Sequence, residues 1–209
     1  MKIVVVTASI GEGRRKLLTP QVVNPNVRYV AFADRPMHHP VWTIKRVDRK
    51  LADRCRDAKR YKVLLSTIIQ DADASIWVDR HCRIMCDPVE VFERFTEDVG
   101  VFAHFRNCCY HEARACRKRK KDSEAIINAT VERLRSEQWP PAAGLYYGGF
   151  LLRRHTEGER AFSRLWWDRI SAGTRRDQIT LPFCLHKSEV SYRIFPRSEI
   201  GSFFRIRGK

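Results

Sequence analysis

An aspartate and a histidine two residues apart, Asp79 and His81, close the apolar run Ser75-Ile76-Trp77-Val78. Side chains alternate along an extended chain with period two, so this spacing turns a carboxylate and an imidazole to the same side. Such a pair can hold a divalent cation, Mn²⁺ or Mg²⁺, and the cation can hold a diphosphate. Taken alone, the same residues also read as a strand that runs into a polar loop.

The elements around this segment follow from hydrophobic spacing. Lys2 to Thr7, Val27 to Ala33 and Trp42 to Val47 read as strands, with Gly11-Glu12-Gly13 ending the first and Asp34-Arg35-Pro36 the second. Leu51 to Gln70 reads as one helix, because Tyr61, Leu64, Leu65 and Ile68 build a single apolar stripe with Arg60 and Lys62 on its flanks. Ser75 to Val78 and Val99 to His104 are the next strands, and Gly144 to Leu152 is a strand framed by glycines. Ser123 to Gln138 and Thr156 to Ser171 read as amphipathic helices, the first stopped by Pro140-Pro141. Strands joined by helix-length crossovers predict an α/β fold with a mostly parallel central sheet flanked by helices. Ligands of such sheets gather at the carboxyl ends of the strands, which is where Asp79 falls.

Composition narrows the partners. The chain has 209 residues, enough for one domain with a real core, and a single domain over residues 1–209 is expected. Lys and Arg number 40 against 24 Asp and Glu, a net charge of +16. An excess of that size points to a polyanion: nucleic acid, an acidic membrane surface or phosphorylated substrates. A hydrophobic fraction of 44% excludes a disordered basic tail. Seven cysteines without a CxxC pair argue against a structural zinc site. The first apolar run is too short for a signal peptide or a membrane span, so a cytoplasmic protein with reduced thiols is expected.

The order of the short motifs is more specific than any one of them. Arg60-Tyr61-Lys62, Ile76-Trp77-Val78-Asp79, His104-Phe105-Arg106 and Tyr110-His111-Glu112-Ala113 are followed by Gly144-Leu145, Leu151-Leu152-Arg153-Arg154-His155, Trp166-Trp167 and Arg176-Asp177-Gln178. This series resembles the glycosyltransferase-like family of TOD1/MUCI70 type, which is itself similar to nucleotide-sugar transferases of the Rossmann-like GT-A fold. The resemblance implies a glycosyltransferase, a hexosyl- or pentosyltransferase, that moves a sugar from a nucleotide sugar such as a UDP-sugar to an acceptor hydroxyl. It implies a donor site of Thr7, Ala8 and Ser9 beside the base, Asp34 on base or ribose, and Lys62, with Arg60 beside it, on the diphosphate. Gly144, Arg176 and Gln178 complete that set. Asp79 is the first metal ligand, with His81 and His186 as further candidates. The usual Asp-x-Asp is Asp79-Arg80-His81 here, and this departure leaves open a metal-independent enzyme in which Arg80 or Lys62 supplies the charge. Asp177 is the acid expected to orient the acceptor or take its proton, with Asp79 as the other catalytic carboxylate. His104, Glu112, Tyr146 and Tyr147 are candidates for the sugar and acceptor pocket.

The run Arg117-Lys118-Arg119-Lys120-Lys121 reads as a nucleic-acid patch lying away from the strand ends. Together with the net charge it suggests DNA as the acceptor, for example a hydroxymethylated base flipped out of the stack. Two alternatives stay open: a transferase acting on a glycan or protein, and a catalytically inactive GT-A-like module that binds nucleic acid.

Overall fold

Chain order in the computed structural model, which describes residues 1–11 and 16–207, begins with three strands, β1 (Ile3–Ser9), β2 (Arg28–Ala33) and β3 (Thr43–Arg46). Helices α1 (Arg54–Val63) and α2 (Leu65–Ile68) lead to β4 (Ala74–Val78), the short β5 (Cys82–Ile84) and α3 (Pro88–Arg94). Strand β6 (Val99–Ala103) is followed by α4 (Cys109–Lys118) and α5 (Glu124–Ser136), and β7 (Tyr146–Arg154) by α6 (Glu157–Ser171). A 3-10 turn at Asp177–Ile179 precedes α7 (Leu181–Lys187), β8 (Tyr192–Phe195), α8 (Ile200–Phe203) and β9 (Phe204–Ile206). Glu12 and Gly13, part of the expected break after β1, lie outside the described residues; Gly11 is described and has φ +90°.

Seven strands form one sheet in the order β3-β2-β1-β4-β7-β6-β8. Every pairing is parallel except the two that β7 makes, with β4 and with β6. The sheet is therefore mostly parallel, as the strand–helix alternation predicts. Both its faces are covered: along β1, Val4 and Val6 enter one apolar cluster while Ile3 and Val5 enter the other. The first cluster also holds Trp166 and Ile170 of α6 and Leu134 of α5. The second holds Phe92 of α3 and Phe204 of β9. β5 and β9 pair antiparallel as a small second sheet, and the Phe204 ring stacks on Phe150 of β7 at 4.8 Å.

Two local departures from the sequence reading have physical causes. The helix expected over Leu51–Gln70 starts at Arg54, because Asp53 caps it by accepting from the backbone N–H groups of Cys55 and Arg56. It then breaks at Leu64, whose φ of −93° and ψ of 30° leave the helical region. The buried guanidinium of Arg153 donates to the carbonyls of Lys62 at 2.6 Å and Val63 at 3.3 Å. Thr67 N–H, which would bond Val63 in an unbroken helix, turns to Leu64 instead. The second departure is α4, which runs from a short motif into the basic run and shows no clear apolar stripe in the sequence. Yet Cys109, Glu112, Ala113 and Cys116 are buried at helical spacing, and two of those positions are cysteines acting as small apolar residues. Arg117 and Lys118 fall in its last turn, where cations face the negative end of the helix dipole.

Arg153 is fully buried and lies 3.6 Å from the equally buried Glu159. Glu159 also accepts from Ser163 Oγ at 2.6 Å. Removing the cation strands a buried carboxylate. Arg153→Met should therefore cost about 3–5 kcal/mol of stability, read as a lowered urea midpoint. A cost below about 1 kcal/mol, the range of an exposed pair, would show that the guanidinium does not hold this interior together.

Candidate functional site

The parallel strands end on one edge of the sheet, and antiparallel β7 begins there. That edge brings Asp79 after β4, His104 after β6 and the Tyr147–Gly149 start of β7 to one cavity of about 440 Å³. Lys59 and Lys62 reach it from α1, Glu112 from α4, and Arg176, Asp177 and Gln178 from the segment after α6. Phe204 and Ile206 of β9 close one side.

At its centre a carboxylate is held by two ammonium groups. Asp177 Oδ1 lies 2.9 Å from Lys59 Nζ, and Asp177 Oδ2 accepts from Lys62 Nζ. Lys62 is fully buried and Asp177 nearly so. Burial alone would raise the pKa of Asp177, but the two lysines and Arg176 outweigh it and hold the carboxyl well below the usual range. Burial is also the largest influence on each lysine. In Lys62, which has no access to water and faces a second ammonium, it prevails and lowers the pKa. In Lys59, which keeps some contact with solvent, Asp177 and Asp79 prevail and raise it. The sequence segment that positions Asp177 is short. Trp166 Nε1 donates to the Asp177 carbonyl at 3.1 Å, and the Trp166 ring lies 5.5 Å from Lys62 Nζ.

Asp79 stands beside this cluster. Its Oδ1 accepts from Trp77 Nε1 at 2.8 Å, and its backbone N–H donates to Gly149 at 2.7 Å. Burial raises its pKa, and Lys62 and Lys59 more than reverse that, so the net shift is downward. Two glycines make room for these groups. A Cβ on Gly148 would stand 2.8 Å from Lys62 Nζ and 3.2 Å from Asp177 Oδ2, and one on Gly149 would stand 3.3 Å from Asp79 Oδ2. The β6–β7 ladder is irregular at this place: Gly100 pairs with Leu152, but Phe102 with Tyr147, so β7 bulges between them. On the far wall His104 lies against Tyr147 at 4.7 Å between centroids, and Arg106 pairs with Glu112 at 2.8 Å.

Of the sequence candidates, the cavity gathers Lys62, Asp79, His81, His104, Glu112, Arg119, Tyr147, Arg176, Asp177 and Gln178. The others lie elsewhere, each for a local reason. Thr7 and Ser9 are buried within β1, and Ser9 Oγ accepts from Arg80 at 2.9 Å, so neither they nor Ala8 lines the cavity. Asp34 accepts from Gly11 N–H at 2.9 Å in a separate small hollow with Arg35 and Arg49. Arg60 sits over the Tyr61 ring, away from the cavity, and Gly144, with φ +100°, forms an isolated parallel bridge with Cys108. Tyr146 faces the opposite way from its neighbour Tyr147, into a second cavity of about 700 Å³ where His186 lies 5.5 Å from the Trp139 ring. His186 is thus not brought to Asp79. Arg119 corrects the view that the basic run lies away from the strand ends: it lines the cavity, while Lys118, Lys120 and Lys121 are exposed beside it and Arg117 bonds Asn128.

Sequence reasoning missed Lys59, Arg106 and Cys82. Lys59 had a signal, since it stands three residues before Lys62 and so shares its helix face. Cys82 had none, because its place depends on the β5–β9 pairing of distant segments.

The resemblance implies a divalent cation at Asp79, and the donor set does not fit one. Among the described residues no three His, Cys, Asp or Glu side chains converge as metal ligands. Asp177, the carboxylate that could have joined Asp79, has both oxygens engaged by ammonium groups. Those same cations, near enough to acidify Asp79, would repel a dication.

Comparison with known proteins gives this site its context. The profile of the TOD1/MUCI70 glycosyltransferase-like domain matches residues 26–206. A probable hexosyltransferase of Arabidopsis thaliana, MUCI70, is 25% identical over 142 residues, covering 62% of this chain and 24% of that protein. The chain thus spans about a quarter of the length of the curated relative it matches. With the matched profile running through the whole cavity wall from Lys59 to Ile206, the chain belongs to the TOD1/MUCI70 glycosyltransferase-like family.

Proposed function

We propose that this protein is a hexosyltransferase that uses a nucleotide sugar, with donor and acceptor meeting in the cavity beside Asp79, and that residues 1–209 act as one catalytic domain. The observation that carries this reading is the charge of the cavity. Lys59, Lys62, Arg106, Arg119 and Arg176 face Asp79, Glu112 and Asp177, so five cations meet three carboxylates and the lining is positive by two. Glycosyl transfer expels a nucleoside diphosphate, and a water-poor site with fixed positive charge stabilises that leaving group as its charge develops. A neutral sugar alone would find no use for such a lining.

The two carboxylates take different parts. Asp177 is committed to the lysines and is a positioning residue, which revises its assignment to the acceptor. Asp79 remains the catalytic carboxylate: ionised at neutral pH and steered by Trp77, it accepts a hydrogen bond from the sugar or from the attacking hydroxyl. His104, Tyr147 and Glu112 form the wall on which the hexose rests. A UDP-sugar is the donor class to test first.

A second reading concerns the acceptor. Arg119 connects the cavity to the exposed Lys118, Lys120 and Lys121, so a basic track leads from the protein surface to the site. A polyanionic acceptor would follow that track, and DNA carrying a hydroxymethylated base is the specific form proposed. A glycan or protein acceptor makes no such use of it. The absence among the described residues of a helix long and apolar enough to cross a membrane leaves the cellular site to experiment, and a cytoplasmic enzyme is the proposal.

Two measurements follow. Asp79→Asn keeps the shape and removes the charge. It should lower nucleoside diphosphate release from a panel of UDP- and GDP-hexoses about a hundredfold or more, with donor affinity little changed. A rate within about threefold of the parent would take Asp79 out of the chemistry. For the acceptor, replacing Lys118, Lys120 and Lys121 together by Gln, with Arg119 left in place, should flatten the salt dependence of duplex binding. The log–log slope should change by about 0.9 for each phosphate that is no longer neutralised. An unchanged slope, or binding no stronger than background at physiological salt, would end the nucleic-acid reading and favour a glycan or protein acceptor.

A further inference from the structure

Two buried donors in the cavity wall have no hydrogen-bond partner among the described residues: Arg176 Nε and Gln178 Nε2. They flank Asp177 in sequence, and both residues line the cavity that Lys59 and Lys62 enter. Buried hydrogen-bond donors are rarely left unmade, because each costs about 1–3 kcal/mol when unsatisfied. Two in one short segment, beside a pair of ammonium groups, define the kind of ligand that would satisfy them. It accepts hydrogen bonds, it is anionic, and it is large enough to reach both side chains of the segment and both lysines.

We propose that Lys59, Lys62, Arg176 and Gln178 form a metal-free receptor for a diphosphate group, held in shape by Asp177. This deepens the hexosyltransferase reading and rests on it for the identity of the diphosphate as the donor's. Two lysines and Arg176 supply three positive charges, Asp177 and the neighbouring Asp79 remove two, and Arg106 and Arg119 against Glu112 bring the whole cavity to an excess of two, the charge a diphosphate would otherwise share with a dication. The arginine offers a planar fork and the glutamine a neutral donor, while the lysines act as point charges. Lys62, the ammonium most burdened by burial and by its neighbour, gains most when an anion arrives. Gly148 is part of the device: any side chain there would press on Lys62 Nζ and Asp177 Oδ2 and spread the cluster.

The test is calorimetric titration of the full chain with inorganic pyrophosphate and with UDP, in EDTA and again with Mn²⁺. Both probes should bind in EDTA, and Mn²⁺ should change Kd by less than about threefold. Gln178→Leu and Arg176→Met should each weaken both probes about tenfold, the effect of one hydrogen bond to a charged group. Gln178→Leu removes a donor without stranding a charge, so a retained melting temperature separates weakened binding from failed folding. Asp177→Asn frees two buried ammonium groups. It should weaken the probes as well, and its unfolding would leave the other two variants to decide. Binding that requires Mn²⁺ would overturn the proposal while leaving the transferase reading intact. Binding in EDTA that neither variant disturbs would also overturn it. Pyrophosphate and UDP binding as expected, with no sugar released from any nucleotide sugar, would uphold the receptor and sink the transferase instead.

Discussion

The Lys59–Asp177–Lys62 cluster sets the terms for everything around it. Taking three charges out of water costs several kcal/mol per ion before their mutual attraction is counted. The cost is tolerable only if every oxygen of the carboxylate is used and the backbone beneath it cannot move. Both conditions are met by residues far apart in sequence. Each oxygen of Asp177 has its own ammonium. The Trp166 indole fixes the Asp177 carbonyl while its ring centroid lies 5.5 Å from Lys62 Nζ and 5.8 Å from the Arg153 guanidinium. Arg153 in turn grips the last carbonyls of α1 and so fixes where Lys62 leaves the helix. One aromatic side chain thus couples α1, β7 and the segment after α6.

The antiparallel strand makes this geometry possible. In a wholly parallel sheet every strand would bring its carboxyl end to the site edge, and loops would crowd it. β7 instead brings its first residues, and its glycines leave the space that two charged side chains occupy. A bulge there breaks the ladder with β6, which frees the local backbone to approach Asp79 and accept its N–H. The glycines are required by what stands opposite them, since neither has a positive φ.

Much of this was legible in the sequence, and the remainder was not for identifiable reasons. Period-two and period-3.6 patterns locate β1, β2, β4, α5 and α6 because these elements bury a full face. The joint placement of Lys62, Asp79 and Asp177 follows once the strands are parallel and the ends are known. The break at Leu64 depends on an arginine 89 positions later in the chain (153 − 64 = 89), and no local pattern can announce it. α4 hides because cysteines fill apolar positions and basic residues crowd its end. His186 and Tyr146 fall in another cavity because facing is decided by one-residue steps along a strand or helix, finer than motif order can resolve. The metal expectation rests on a two-residue spacing. That spacing presumes an extended chain, whereas β4 ends at Val78 and Asp79 to Cys82 form a turn closed by the Cys82 N–H on the Asp79 carbonyl at 2.7 Å, and it says nothing of the ammonium groups that arrive from α1.

Charge is distributed in two layers, and the layers cannot do the same work. The rim, Lys118, Lys120 and Lys121, is exposed, and salt screens such charges beyond about 8 Å at physiological ionic strength. Its pull speeds encounter with an anion and adds little once the anion is bound. The inner cations are mostly buried, Lys62 fully so, and held by Asp177, so salt screens them far less. They act only on what has already entered, where a fixed charge in a dry site is worth far more than the same charge in water. Arg119 stands between the two layers, on the cavity wall yet exposed to solvent. The three rim lysines and the cavity's excess of two account for only part of the net +16, so what marks this path is its end at buried, partly unsatisfied donors, an arrangement suited to the proposed anion capture.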